Sequence, residues 1–137
     1  MDAKIFLSNP QPPDTADISA GETAALKAAA SAAGFLIFNL DGTRMLSKAE
    51  LLDYTAGVLG FPNETGMNWD AAIDYLSDMP SFHDDADKFL VIVNNSGDIS
   101  RANPALEADL RETFALSAEK TRQAWRGKTI LKFAFVR

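Results

Sequence analysis

One segment decides how the middle of this chain folds, and it reads Phe61-Pro62-Asn63-Glu64-Thr65-Gly66-Met67-Asn68-Trp69-Asp70-Ala71-Ala72-Ile73-Asp74-Tyr75-Leu76. Asn68 has a side chain preferred at a helix N-cap, where its oxygen accepts a hydrogen bond from a free amide of the first turn. Trp69 is then the first helical residue. At about 100° per residue, four apolar side chains share a narrow face that we expect to pack on a sheet. They are Trp69, Ala72, Ile73 and Leu76.

The same helix carries a second stripe, made of carboxylates. Asp70, Asp74 and Asp78 follow one another every four residues and therefore share a face beside the apolar one. The helix dipole explains a carboxylate in the first turn, such as Asp70. It does not explain Asp74, which lies beyond that turn and close to a like charge. Acidic stripes often simply face solvent, so Asp74 is the stronger candidate for contact with a partner.

The composition favours one acidic globular domain. The chain has 137 residues, of which 47% are hydrophobic, and a formal net charge of −6. This length suits one hydrophobic core and is short for two domains. Direct nucleic-acid binding is not expected, because phosphate contacts need clustered Lys and Arg. An acidic surface suits a basic protein partner, since complementary charge speeds association.

The residue types that are missing restrict the chemistry and the compartment. Without cysteine the chain has neither disulfides nor thiolate ligands, so we expect a reducing compartment such as the cytoplasm. No run approaches the roughly 20 apolar residues of a membrane span. We expect no cofactor and no bound metal, and either a monomer or a weak homo-oligomer.

Strand and helix patterns alternate through the first half of the chain. Ser19 and Glu22 have capping-box spacing ahead of an alanine-rich stretch, and Ser47 and Glu50 repeat that spacing. The predicted elements are an edge strand at 3–7, a Pro-rich loop at 9–14, a helix from 19 through 33, a strand at 35–40 and a helix at 47–59.

The second half continues the alternation. Residues 88–93 are apolar without interruption, which is typical of a parallel strand covered on both faces, so we expect this strand near the middle of the sheet. A turn at 94–98 precedes a helix that begins at Asn103-Pro104, and the spacing leaves open whether it breaks near Leu116. A strand at 129–136 closes the chain. The pattern predicts a two-layer α/β fold with packed helices and a mostly parallel sheet of three or four strands.

The segment at 61–76 resembles the binding segment of the barstar family, whose members inhibit barnase-type ribonucleases. The matching positions are Pro62, Gly66, Asn68, Asp70-Ala71 and Asp74-Tyr75-Leu76. The preceding order of strand, Asp-Gly turn and Ser-capped helix extends the resemblance toward the N-terminus. It implies a barstar-like domain at residues 34–137 and an N-terminal extension, residues 1–33, that packs on it.

The resemblance implies a non-enzymatic inhibitor that blocks a basic active site. Asp74 would enter the phosphate site of the nuclease and contact its catalytic Arg and His groups, with Asp70 beside it. Gly66 and Asn68 would shape the loop and helix start that present these acids. The full predicted partner-binding set is Glu64, Gly66, Asn68, Asp70, Asp74 and Asp78. Glu64 would add a negative charge beside Asp70 and Asp74, and Asp78 would lie at the rim of the interface.

The chain departs from the family pattern at aromatic positions. Glu64 and Thr65 stand where family members often carry aromatic residues, and Ile73 stands where the family's namesake has tryptophan. Buried aromatic residues often dominate interface energy. The departures therefore predict either a different target nuclease or a lower affinity.

Two other functions remain open from the sequence. One is a protein-interaction module that keeps the fold and binds another basic partner. The other is a small carboxylate-dependent hydrolase, in which Asp70 and Asp74 form the acid pair; their similar environments on one helix turn disfavour it. His83 with the acids at 84–87 suggests a metal or acid-base site, but the chain has no second histidine and consecutive loop acids usually face water.

Overall fold

The computed structural model describes all residues from 1 to 137 and contains a four-stranded parallel sheet. Its strands are β1 (Thr15–Ile18), β2 (Leu36–Asp41), β3 (Lys88–Asn94) and β4 (Ile130–Val136). Their order is β1-β4-β3-β2, and every neighbouring pair is parallel. The predicted α/β fold with a parallel sheet is confirmed, as is the central place of β3.

Six α-helices surround this sheet. They are α1 (Ala3–Ser8), α2 (Thr23–Ala32), α3 (Lys48–Leu59), α4 (Trp69–Leu76), α5 (Ser96–Ala102) and α6 (Pro104–Ala124). The question of a break near Leu116 is settled, because α6 is continuous over 21 residues. None of these helices is both long and apolar enough to cross a membrane.

The side chains of β3 point alternately to two hydrophobic cores, which explains why this strand is apolar throughout. Phe89, Val91 and Val93 belong to a larger core with α3, α4 and α6, where helices form one layer and the sheet the other. Leu90 and Ile92 belong to a smaller core on the opposite face, which α1 and α2 cover. The candidate acids on α4 therefore lie on the side of the larger core.

Two local predictions are wrong. Residues 3–7 form helix α1 rather than an edge strand, because Asp2 caps the helix at the amide of Ile5 (3.1 Å) and Phe6 and Leu7 are buried in the smaller core. The strand of this region is β1, which pairs with β4. The turn predicted at 94–98 contains the start of α5, which is stabilised by the burial of Ile99.

A buried lysine fastens the N-terminal segment to the sheet. Lys132 of β4 is fully buried, and its Nζ donates hydrogen bonds to the carbonyls of Gln11 (3.0 Å) and Pro13 (2.8 Å). Asp14 lies 3.6 Å from the same Nζ and accepts a hydrogen bond from Arg122 at 2.7 Å. Burial lowers the pKa of Lys132, and the nearby Asp14 carboxylate partly opposes this effect.

Candidate protein-binding site

The candidate site begins with an exposed loop between α3 and α4. Phe61 is buried and anchors the loop at its first residue, while residues 62–66 are exposed. Gly66 has φ +65°, in the left-handed region that favours glycine. Asn68 then caps α4, because its Oδ1 accepts a hydrogen bond from the amide of Ala71 at 2.7 Å. The predicted N-cap and the helix start at Trp69 are confirmed.

Three of the four residues of the predicted apolar face of α4 pack on the larger core, whereas Ile73 lies outside that core, next to residues of α6. Ala72 and Leu76 are buried, and Trp69 packs against the core from a partly buried position. Tyr75 also packs against this core, and its ring centroid is 5.2 Å from that of the buried Phe61. This aromatic contact joins the end of α4 to the start of the loop, so loop and helix form one packed unit.

Helix α6 supports α4 from the side. The Nε1 of Trp125 donates a hydrogen bond to the carbonyl of Ser77, directly after α4, at 2.8 Å. Ser77 is itself buried. This contact fixes the distance between the C-terminal ends of the two helices, and Trp125 therefore has a structural role.

The predicted acids differ in their partners. Glu64 and Asp70 are exposed, and neither has a cationic group within 4.0 Å. Asp74 is also exposed, but its Oδ1 lies 2.6 Å from the Nζ of Lys120. Asp78 accepts a hydrogen bond from the hydroxyl of Ser81 at 2.6 Å. Asp70 and Asp74 thus lie on adjacent turns of one helix, and only Asp74 forms an ion pair.

Sequence reasoning missed the contribution of α6 to this surface. An open cleft of about 230 Å³ separates α4 from α6, and it is lined by Trp69, Asp70, Ile73, Asp109, Glu112, Thr113 and Leu116. A neighbouring cleft of about 330 Å³ is lined by Ile73, Leu116, Glu119, Lys120 and Gln123. Spacings of three and four residues place the α6 members on one helix face, but the sequence does not show that this face meets α4.

His83 has a structural environment. Its Nε2 lies 2.7 Å from the carbonyl of Leu59, in position to donate a hydrogen bond. Its ring packs against Phe38 and Phe82, with centroid distances of 5.3 and 5.0 Å. The structure contains no group of three or more His, Asp or Glu side chains placed to hold a metal ion. His83 therefore positions the loop before β3 against the end of α3.

Removing the cap at Asn68 should loosen the helix that presents the acids. We expect Asn68→Ala to lower the free energy of unfolding by about 1 kcal/mol, because an amide of the first turn loses its acceptor. Asn68→Asp keeps an acceptor and should cost much less. Urea denaturation of both variants measures the difference. Equal destabilisation by the two substitutions would show that the cap does not stabilise α4.

The fold and the site define a small acidic α/β domain that displays carboxylates on one helix beside a glycine-shaped loop. The family model described as Barstar (barnase inhibitor) matches residues 35–135. The match covers most of the chain, which therefore belongs to the barstar family, a family of inhibitors rather than enzymes. No curated protein and no solved structure matches the chain.

Proposed function

We propose that this protein is a non-enzymatic inhibitor of a barnase-type ribonuclease and that it acts by placing Asp74 and Asp70 in the basic active site. One observation carries the proposal. Both carboxylates are exposed on adjacent turns of a capped helix, in a segment that resembles the binding segment of the family and lies within the matched residues 35–135.

The proposed mechanism is substitution of RNA phosphate by carboxylate. A ribonuclease active site binds anionic phosphates through cationic side chains, and a carboxylate accepts charge-assisted hydrogen bonds from the same groups. Asp74 would enter the phosphate site and Asp70 would bind beside it. Gly66 and Asn68 would act indirectly, because they set the direction of the loop and of the helix.

The surrounding charge supports approach by a basic protein. Glu64 lies in the exposed loop, and Asp109 and Glu112 line the cleft beside Asp70. Asp78, whose carboxylate is already bonded to Ser81, would lie at the rim. With a net charge of −6, this surface would steer a cationic partner and raise the association rate at low salt.

The proposed binding surface carries more negative charge and fewer aromatic side chains than the family pattern. Glu64 and Thr65 are both exposed, and Ile73 is partly buried and lines both clefts. No aromatic anchor projects from these positions. We therefore propose that binding depends mainly on ion pairs, and that action takes place in the cytoplasm, where a cysteine-free chain is unaffected by the reducing conditions.

Calorimetry with a catalytically disabled barnase-type ribonuclease tests the proposal. We expect one-to-one binding that weakens steeply between low and high salt, because exposed charges are screened. Inhibition of RNA cleavage by the active enzyme should follow the same salt dependence. Absence of binding at low salt would contradict the ribonuclease proposal; a basic partner of another kind would then be the candidate.

A further inference from the structure

In the free protein, Asp74 of α4 forms an ion pair with Lys120 of α6. The Nζ of Lys120, on α6, lies 2.6 Å from Oδ1 of Asp74, the carboxylate that we propose binds in the active site of the nuclease. The two side chains are 48% and 69% exposed, respectively. Asp74 is the only one of the predicted site acids that pairs with a cation. The acid with the central role is therefore already occupied in the free protein.

We propose that Lys120 is a built-in competitor for Asp74, which an incoming partner must displace before it can bind. The inference rests on the proposed function and adds a specificity-determining residue to it. A partner that offered one ammonium group would exchange one ion pair for an equivalent one and gain little. A partner that brings several donors to Asp74 gains more than it displaces. Lys120 thus favours strongly cationic sites over single surface lysines.

The competitor remains close because the two helices are fixed. Trp125, directly after α6, donates a hydrogen bond to the carbonyl of Ser77, directly after α4, and Ile73 and Leu116 line the same cleft as Lys120. The ammonium group therefore reaches Asp74 without movement of the backbone. Both side chains are also highly exposed, and an exposed ion pair is weak enough for a partner to break.

Asp70 provides the internal contrast. It has no cation within 4.0 Å and lies at the other cleft, with Asp109 and Glu112. A basic partner would meet unpaired negative charge around Asp70. One helical turn further along α4, it would meet the ion pair of Asp74 with Lys120. The negative charge around Asp70 is therefore available to attract the partner, whereas Asp74 must first be released from Lys120.

Substitution of Lys120 tests this competition. We expect Lys120→Met to tighten binding to the disabled barnase-type ribonuclease by about three- to tenfold, because the competing pair and one repelling charge are both removed. Lys120→Arg keeps the charge and should not tighten binding. Lys4→Met is the matched control: it makes the same charge change at an exposed position on α1, on the opposite face of the sheet, and should have a much smaller effect.

A double-mutant cycle separates competition from simple repulsion. In an Asp74→Asn background Lys120 has no carboxylate to occupy, so Lys120→Met should lose most of its gain. An equal gain in both backgrounds, or equal affinity of wild type and Lys120→Met, would overturn the competition while leaving the inhibitor proposal intact. Absence of binding by wild type and by every variant would overturn the inhibitor proposal, and the competition with it. Binding by Lys120→Met alone would support the competition and would contradict the proposal that the wild-type protein inhibits this nuclease.

Discussion

Asp74→Ala is expected to weaken binding to the target ribonuclease by two orders of magnitude or more. In the proposed complex this carboxylate is buried against the cations of the active site, and removing one partner of a buried ion pair costs about 3–5 kcal/mol. The loss arises because the nuclease cations remain desolvated and unpaired. Competition by Lys120 lowers the net value of the contact only slightly, since its exposed pair is weak.

The same substitution should leave the fold nearly as stable as before. Loss of the pair with Lys120 costs about 0.2–1 kcal/mol, while relief of the repulsion from Asp70 returns about 0.2–0.5 kcal/mol. A large loss of affinity with a small change in unfolding free energy is the signature of a contact residue. Calorimetry and urea denaturation of the same preparation measure the two quantities.

Asp53→Ala is the matched control for this prediction. Asp53 is exposed on α3 and has no cation within 4.0 Å, so its removal changes the net charge by the same amount without touching α4. We expect a reduction of a fewfold that disappears at high salt. Similar losses from Asp74→Ala and Asp53→Ala would show that the partner senses total charge, and the assigned role of Asp74 would then be wrong.

Much of the local structure was predictable because its causes are local. Asn68 caps α4 through an amide three residues away, and Ser47 caps α3 in the same way at 3.3 Å. The unbroken apolar run of β3 has one physical explanation, burial on both faces. The acid positions on α4 follow from helix geometry alone once its first residue is known.

The remaining features depend on contacts between distant parts of the chain. The short apolar run at residues 3–7 is compatible with a strand, and burial of Phe6 and Leu7 in the smaller core, together with the Asp2 cap, selects the helix. The pair between Asp74 and Lys120 joins residues 46 apart in sequence. Its formation depends on the packing of α6 beside α4, which periodicity on either helix does not specify.

Lys132→Met is expected to destabilise the fold by about 2–4 kcal/mol. Lys132 is fully buried and its ammonium group donates partly buried hydrogen bonds to the carbonyls of Gln11 and Pro13, and a hydrogen bond from a charged donor contributes about 1.5–3 kcal/mol. Methionine has a similar size and restores apolar packing, so the loss reports mainly on the hydrogen bonds. Urea denaturation measures the change in the free energy of unfolding.

Lys88→Met is the matched control, because Lys88 donates one exposed hydrogen bond, to the carbonyl of Ala33 at 3.2 Å. We expect its cost to stay below about 1 kcal/mol. Equal costs for the two variants would show that the carbonyls around Lys132 find water when the amine is removed, and that the lysine does not hold the N-terminal segment.

The pH dependence of this effect follows from the direction of the pKa shift. Burial lowers the pKa of Lys132 in the folded state below its ordinary value of 10.5, so between the two values the unfolded chain binds more protons than the native one. The free energy of unfolding of the wild type therefore rises with pH in that alkaline window, relative to Lys132→Met. The neutral amine still has two N–H donors for its two carbonyl partners. Deprotonation thus removes the cost of the buried charge while the hydrogen bonds that secure the N-terminal segment remain.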